Sequence, residues 1–156
     1  MSKSMSGIEM TEECIELFKD MKITTKGADR PRFKYAIFKL SDDNTKVELE
    51  EKVEAKCLAN NREEDEEIFE ELKGKLSKKE PRFILYDMRF CSKSGSLKEI
   101  LIFIKWCSDE APIKKKMLAG STWEYLKKKF DGLKKYFEAS EICEMCYNEF
   151  ADVVER

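Results

Sequence analysis

Five successive apolar residues, Ile100-Leu101-Ile102-Phe103-Ile104, constrain the fold of this chain more than any other feature. Alternate side chains of a strand point to opposite faces, so such a run predicts a strand inside a sheet that is covered on both sides. Phe83 to Phe90 reads as its neighbour, joined to it by the turn-forming cluster Ser92-Lys93-Ser94-Gly95-Ser96.

The covering layers are visible as helical periodicity. Thr11 is placed to cap a helix over about 12–21, with Glu12 and Glu13 in its first turn and Cys14, Ile15, Leu17, Phe18 and Met21 recurring at helical spacing. Ile68, Phe69, Leu72 and Leu76 predict a second helix. Its start carries the acidic block Glu63, Glu64, Asp65, Glu66, Glu67, Glu70 and Glu71, which suits the positive end of the helix dipole and reads as a solvated face. A third helix opens near Pro112 and runs to about Phe130, before Gly132, and residues 142–155 read as a terminal helix.

Between the first two helices Phe33, Tyr35 and Ile37 alternate with Lys34, Ala36 and Phe38. Asp42-Asp43-Asn44 then turns the chain before Val47 and Leu49, which predicts a hairpin. Residues 134–140 fit either a strand or a helix. The expected fold class is α/β in the α+β sense, a central mixed sheet of about five strands with helices packed on both faces. Residues 1–10 are expected to be a flexible arm and 11–156 a single domain.

The chain has 156 residues, no histidine, and a net charge of −2 because Lys+Arg and Asp+Glu nearly cancel. Without histidine it lacks the commonest general base and zinc ligand, and no phosphate loop such as G-x-x-x-x-G-K is present. An enzyme is not expected, nor a cofactor or metal. The balanced charge and the lack of a reading motif argue against nucleic acid as a partner. No apolar run reaches the length of a membrane span, and the start does not resemble a secretory signal, so a cytoplasmic, reducing environment and a monomer are expected. The six cysteines are accordingly expected to be free thiols in or near the core. Cys143-Glu144-Met145-Cys146 would place two of them on nearby sides of a helix without making a zinc or redox centre.

Charge is nevertheless segregated, with eight lysines between Lys114 and Lys135. On a helical wheel Leu118, Thr122, Tyr125, Leu126, Phe130 and Leu133 face the sheet, and Lys116, Met117, Gly120, Glu124, Lys127 and Lys128 face outward. Lys129 projects toward the buried side, so either the helix bends or this lysine snorkels outward. An outward methionine among lysines, beside a glycine, reads either as a contact surface or as a solvated face with one stray apolar residue.

The run Ala-Pro-Ile-Lys-Lys-Lys-Met at 111–117, followed by Ser121-Thr122 and the lysines at 127–129, resembles the long actin-binding helix of the ADF/cofilin family. Ser6-Gly7-Ile8, Phe18-Lys19-Asp20-Met21-Lys22, Arg82-Phe83-Ile84-Leu85-Tyr86-Asp87 and Ile102-Phe103-Ile104-Lys105-Trp106 continue the likeness in order. The resemblance implies an actin-depolymerising factor homology fold that binds actin monomers and filaments, prefers ADP-bound subunits, and promotes severing and disassembly in the cytoplasm.

Carried over by position, it implies actin contacts at Ser6, Gly7, Lys114, Lys116, Met117, Ser121 and Thr122, with Ser6 also a phosphoregulation candidate. A weaker filament surface is implied at Lys98, Glu155 and Arg156, with Ile100 standing where the family carries a second basic residue. Inositol phospholipid headgroups are a secondary partner that the likeness implies for Lys114, Lys116, Lys127 and Lys128.

Overall fold

Alternation along the strands sorts the apolar side chains into two cores, one on each face of a single sheet. The structure is a computed structural model and describes residues 7–23, 31–55 and 59–156. Its elements run β1 (Glu9–Met10), α1 (Glu12–Lys22), β2 (Phe33–Leu40), β3 (Lys46–Glu54), α2 (Arg62–Lys73), β4 (Arg82–Cys91), β5 (Leu97–Trp106), α3 (Ile113–Lys129), β6 (Lys135–Ala139) and α4 (Tyr147–Glu155). A 3-10 turn, Ile142–Glu144, precedes α4.

The strand order is β1-β3-β2-β4-β5-β6, antiparallel through the centre and parallel at both edges. Six strands replace the expected five. The added one is β1, since Ile8 and Met10 are buried and Glu9–Met10 pairs with Lys46–Val47, so residues 8–10 are not the flexible arm expected there. Residues 134–140 resolve as strand β6, paired in parallel with β5, and β5 lies inside the sheet as its apolar run requires.

One core joins Ala36, Phe38, Phe83, Leu85 and Phe103 of the sheet to Leu17 and Phe18 of α1 and to Trp123 and Leu126 of α3. The other joins Tyr35, Ile37, Ile84, Tyr86 and Ile104 to Phe69 and Leu72 of α2 and to Phe150 and Val154 of α4. The paired helices α1 and α3 therefore cover one face, and α2 and α4 the other.

Two local details depart from expectation. Asp65 is not part of a solvated helix start: it is fully buried and accepts hydrogen bonds from the Tyr147 hydroxyl (2.6 Å), the Tyr86 hydroxyl (3.0 Å) and the Arg89 amide (2.9 Å). The terminal helix is shorter than expected, because the chain makes a 3-10 turn at 142–144 before α4 begins at Tyr147.

Candidate functional site

α3 begins at Pro112, whose missing N–H costs nothing at a helix start; Lys116 donates its amide to the Pro112 carbonyl at 3.0 Å. At the other end the Phe130 amide bonds to the Leu126 carbonyl at 2.7 Å, and Gly132 takes the left-handed conformation (φ 79°) that stops the helix. Lys22 of α1 donates to the Asp131 carbonyl at 3.1 Å, tying the end of α3 to its neighbour.

The buried stripe of α3 is Ala119, Thr122, Trp123, Tyr125 and Leu126, continued by Phe130 beyond the helix. Trp123 stacks on Phe103 with ring centroids 4.8 Å apart, and Phe130 stacks on Phe18 at 4.4 Å. The apolar face is thus rotated from the expected one: Ala119 and Trp123 lie in the core, while Leu118 is only half-buried. Thr122 is corrected as a contact residue, since it is fully buried and its hydroxyl bonds to the Leu118 carbonyl at 2.6 Å. Lys129 is half-exposed, with its ammonium 5.7 Å from the Tyr125 ring centroid.

The outward face carries two large apolar residues, Ile113 at 75% exposure and Met117 at 71%, one helical turn apart. Sequence reasoning singled out Met117 and missed Ile113, although the four-residue spacing was available as a signal. Ser121 is exposed on the next turn, its hydroxyl 3.2 Å from the Leu118 carbonyl. A Cβ added to Gly120 would meet nothing within 4 Å among the described residues, so packing among them gives no reason for a glycine there.

The three first-turn lysines divide. Lys115 pairs with Glu80, whereas Lys114 and Lys116 have no ion-pair partner among the described residues. The first turn of α3 contains no acidic residue, so both free ammonium groups sit against the positive end of the helix dipole. That placement is mildly unfavourable in the isolated protein and favours an acidic partner. Beside them an open groove of about 450 Å³ runs between Leu118 and Lys114 of α3, the β2–β3 turn at Asp42, and Glu80.

The N-terminal segment reaches this helix too. Gly7 is exposed with φ 82°, Ile8 is buried, and the Met10 amide donates to the Tyr125 hydroxyl of α3 at 3.2 Å. Ser6 lies outside the described residues.

Lys98, Glu155 and Arg156 are brought together, with Lys93 and Asp152, around an open cleft of about 510 Å³ between the β4–β5 turn and the end of α4. Glu155 is already engaged within the chain. One of its oxygens accepts from Arg62 at 2.7 Å, and the other accepts from the Lys93 amide at 2.6 Å. Arg62 also donates to Asp152 at 2.7 Å and holds that carboxyl below its ordinary range.

The four lysines suggested for lipid headgroups do not form one cluster. Lys116 and Lys127 are separated by eleven residues of helix, about 16 Å of rise, and Lys127 is paired with Glu124 at 3.2 Å. Cys143 and Cys146 do not share a helix, because Cys143 lies in the 3-10 turn and Cys146 caps α4. Cys91 and Cys143 are exposed, so not every thiol is near the core, and among the described residues no group of His, Cys, Asp and Glu is arranged to hold a metal ion. Among them, too, no helix is long and apolar enough to cross a membrane.

A mixed sheet clad by helices on both faces, with one long helix offering an apolar ridge flanked by unpaired lysines, defines an α+β module suited to docking on another protein. Residues 7–155 match the family described as cofilin/tropomyosin-type actin-binding protein, and the chain belongs to this ADF/cofilin family of non-enzymatic actin-binding proteins. It is 29% identical to a cofilin of Schizosaccharomyces pombe over 98% of each chain, and 27% identical to a cofilin of Gibberella zeae over 98% of this chain and 97% of the relative. The crystal structure of actin depolymerization factor 2 from Plasmodium berghei superposes with a TM-score of 0.77 at 25% identity, covering 99% of both chains.

Proposed function

We propose that this chain binds actin monomers and filaments through the outward strip of α3 and promotes filament disassembly by binding alone, with a preference for ADP-bound subunits. The observation that carries the reading is Met117, 71% exposed on a helix whose opposite side is locked into the core. An exposed, flexible thioether adapts to an apolar cleft, and Ile113 one turn away lengthens the same ridge. Lys114 and Lys116 flank it without ion-pair partners among the described residues and would meet carboxylates at the rim of the cleft, speeding encounter. Gly120 and exposed Ser121 let a second backbone come close on the next turn.

The relatives named cofilin and actin depolymerization factor support the same reading. Gly7 forms the edge of this interface, in a segment anchored through Met10 and Tyr125. A phosphate on Ser6 would add about −1.5 to −2 charges there and weaken binding to an acidic partner. The second surface, at Lys98 and Arg156, lacks the basic residue that Ile100 replaces, so firm monomer binding is paired with weaker filament severing. The working location is the cytoplasm, on the actin cytoskeleton.

The test is binding to ADP-actin monomers and co-sedimentation with ADP-actin filaments, comparing the wild type with Lys114→Ala/Lys116→Ala. Binding to both forms, lost in a folded double variant, is the expected result. No binding by the wild type to either form removes the function, and unchanged binding by the double variant removes the site.

A further inference from the structure

The residues around the hairpin cleft point to a role for a side chain that no motif singled out. Arg62 is the first residue of α2, on the face of the sheet opposite α3. A cation at that position opposes the helix dipole, so its placement calls for a compensating partner. It has three. Its guanidinium donates to Asp152 and to Glu155, each at 2.7 Å, and lies 5.0 Å from the ring centroid of Phe90.

Each contact leads to the cleft. Phe90 stands opposite Lys98 in the β4–β5 register. Glu155, held on one oxygen by Arg62, uses the other to accept the Lys93 amide at the start of the turn. Arg156 follows Glu155 directly in the chain. Both carboxylates at the cleft are therefore committed to Arg62, while Lys93, Lys98 and Arg156 have no ion-pair partner among the described residues. Those three cationic side chains outnumber the two carboxylate side chains that line the cleft.

We infer that Arg62 is a positioning residue for the filament surface: through Glu155 and Phe90 it fixes the β4–β5 hairpin against α4, so that Lys93, Lys98 and Arg156 meet carboxylates of a second actin subunit. The inference rests on the filament-binding reading above and adds to it. Glu155 becomes an internal latch instead of a contact, and Lys93 joins the contact set. Arg62 touches no partner itself.

The experiment compares the wild type with Arg62→Ala, Arg62→Lys and Glu155→Ala in three readouts: monomer affinity, filament co-sedimentation, and amide exchange at Lys93. Arg62→Ala is expected to leave monomer affinity within about twofold of wild type, weaken filament affinity by at least about fivefold, and speed Lys93 exchange by about tenfold or more. Glu155→Ala should change all three in the same direction, and the double variant should lose no more than Arg62→Ala alone, because both break the Arg62–Glu155 link while only Arg62→Ala also removes the contact with Phe90. Arg62→Lys should recover part of the filament affinity, since one ammonium cannot serve both carboxylates in a fixed fork.

Should Arg62→Ala fail to fold, Glu155→Ala carries the same comparison with the Arg62–Asp152 pair intact. Filament affinity within about twofold of wild type, or a parallel fall in monomer and filament affinity, overturns the inference. A wild type that binds no filaments would sink the filament reading instead, and the exchange measurement would still decide the latch: unchanged exchange at Lys93 in Arg62→Ala overturns it.

Discussion

The Lys34 ammonium lies 2.5 Å from the Asp65 carboxylate, with side chains only 6% and 0% exposed, so a strand and the start of a helix are joined by an ion pair inside the core. The geometry around it is nearly saturated. Tyr86 and Tyr147 donate their hydroxyls to Asp65, the Arg89 amide donates a third bond, Lys34 also donates to the Asp87 carbonyl, and its ammonium lies 4.7 Å from the Tyr86 ring centroid. Such a pair gives modest net stability when intact and a large penalty when halved, because the surviving charge is left without compensation.

Truncating either partner is therefore expected to be severe. Asp65→Ala should lower unfolding stability by about 3–5 kcal/mol, and Lys34→Ala by a similar amount, whereas Glu67→Ala on the exposed side of α2 should change it by less than about 0.5 kcal/mol. Urea unfolding curves followed by far-UV circular dichroism check this.

Alkaline pH should act on the same cluster. Burial, reinforced by the adjacent Asp65 charge, pushes the Tyr86 and Tyr147 phenols well above their ordinary value of 10.0, and the other three tyrosines are also raised. A folded-state value above the unfolded one means that the stability contribution is complete below about pH 10 and is lost as pH rises beyond it. Stability should fall by up to about 1.4 kcal/mol per pH unit for each of the two, and Tyr147→Phe should reduce the slope by about that amount. Urea midpoints measured between about pH 9 and about pH 11 test the sign.

Gly120→Ala separates folding from docking. Its added methyl meets nothing within 4 Å, and alanine is favoured over glycine inside a helix by about 1 kcal/mol. The variant should be more stable than the wild type by up to that amount, yet bind actin more weakly because the methyl intrudes on a closely approaching backbone. Thermal unfolding and monomer affinity, measured on the same preparation, check the two halves.

Ile113 and Met117 should matter only on binding. Each is more than two-thirds exposed, at 75% and 71%, so Ile113→Ala and Met117→Ala should shift unfolding stability by no more than about 0.5 kcal/mol. Buried in a partner's cleft, each should be worth about 1–2 kcal/mol, a five- to thirtyfold loss of monomer affinity. Isothermal titration checks the loss.

Among the lysines, Lys114→Ala should slow association more than Lys115→Ala does, because Lys115 is already paired with Glu80. The difference should shrink as salt rises to about 0.5 M, where screening removes long-range attraction. Stopped-flow association rates at two ionic strengths distinguish the pair.

Much of the frame was legible because period and chemistry agreed. The Ile100 to Ile104 run called for an interior strand, Asp42-Asp43-Asn44 for a turn, and Pro112 with Gly132 for the limits of α3; the structure has all three. Lys34 was not legible as a core residue. Strict alternation opposes it to Tyr35, but the pairing register of β2 with β3 shifts between Phe33 and Tyr35, and both Lys34 and Tyr35 contact the α2 side. Asp65 was hidden within an acidic run in which only its position on the inner face sets it apart. Trp123 lies outside the face that a wheel centred on Leu118 predicts, because the buried stripe is centred nearer Ala119.

The α3 strip around Met117 could be placed from its neighbours in sequence, whereas the role of Glu155 could not. Its partners, Lys93 and Arg62, are 62 and 93 residues away, and no local pattern reports a contact of that range.

The tether between Met10 and Tyr125, together with the one between Lys22 and Asp131, has a kinetic meaning. A helix fastened in its last third and just past its end, with its inner stripe packed in the core, arrives at a collision already in its final shape, so little ordering remains to be done once contact is made. Docking and release would then proceed at rates set by diffusion and detachment, with no refolding between encounters.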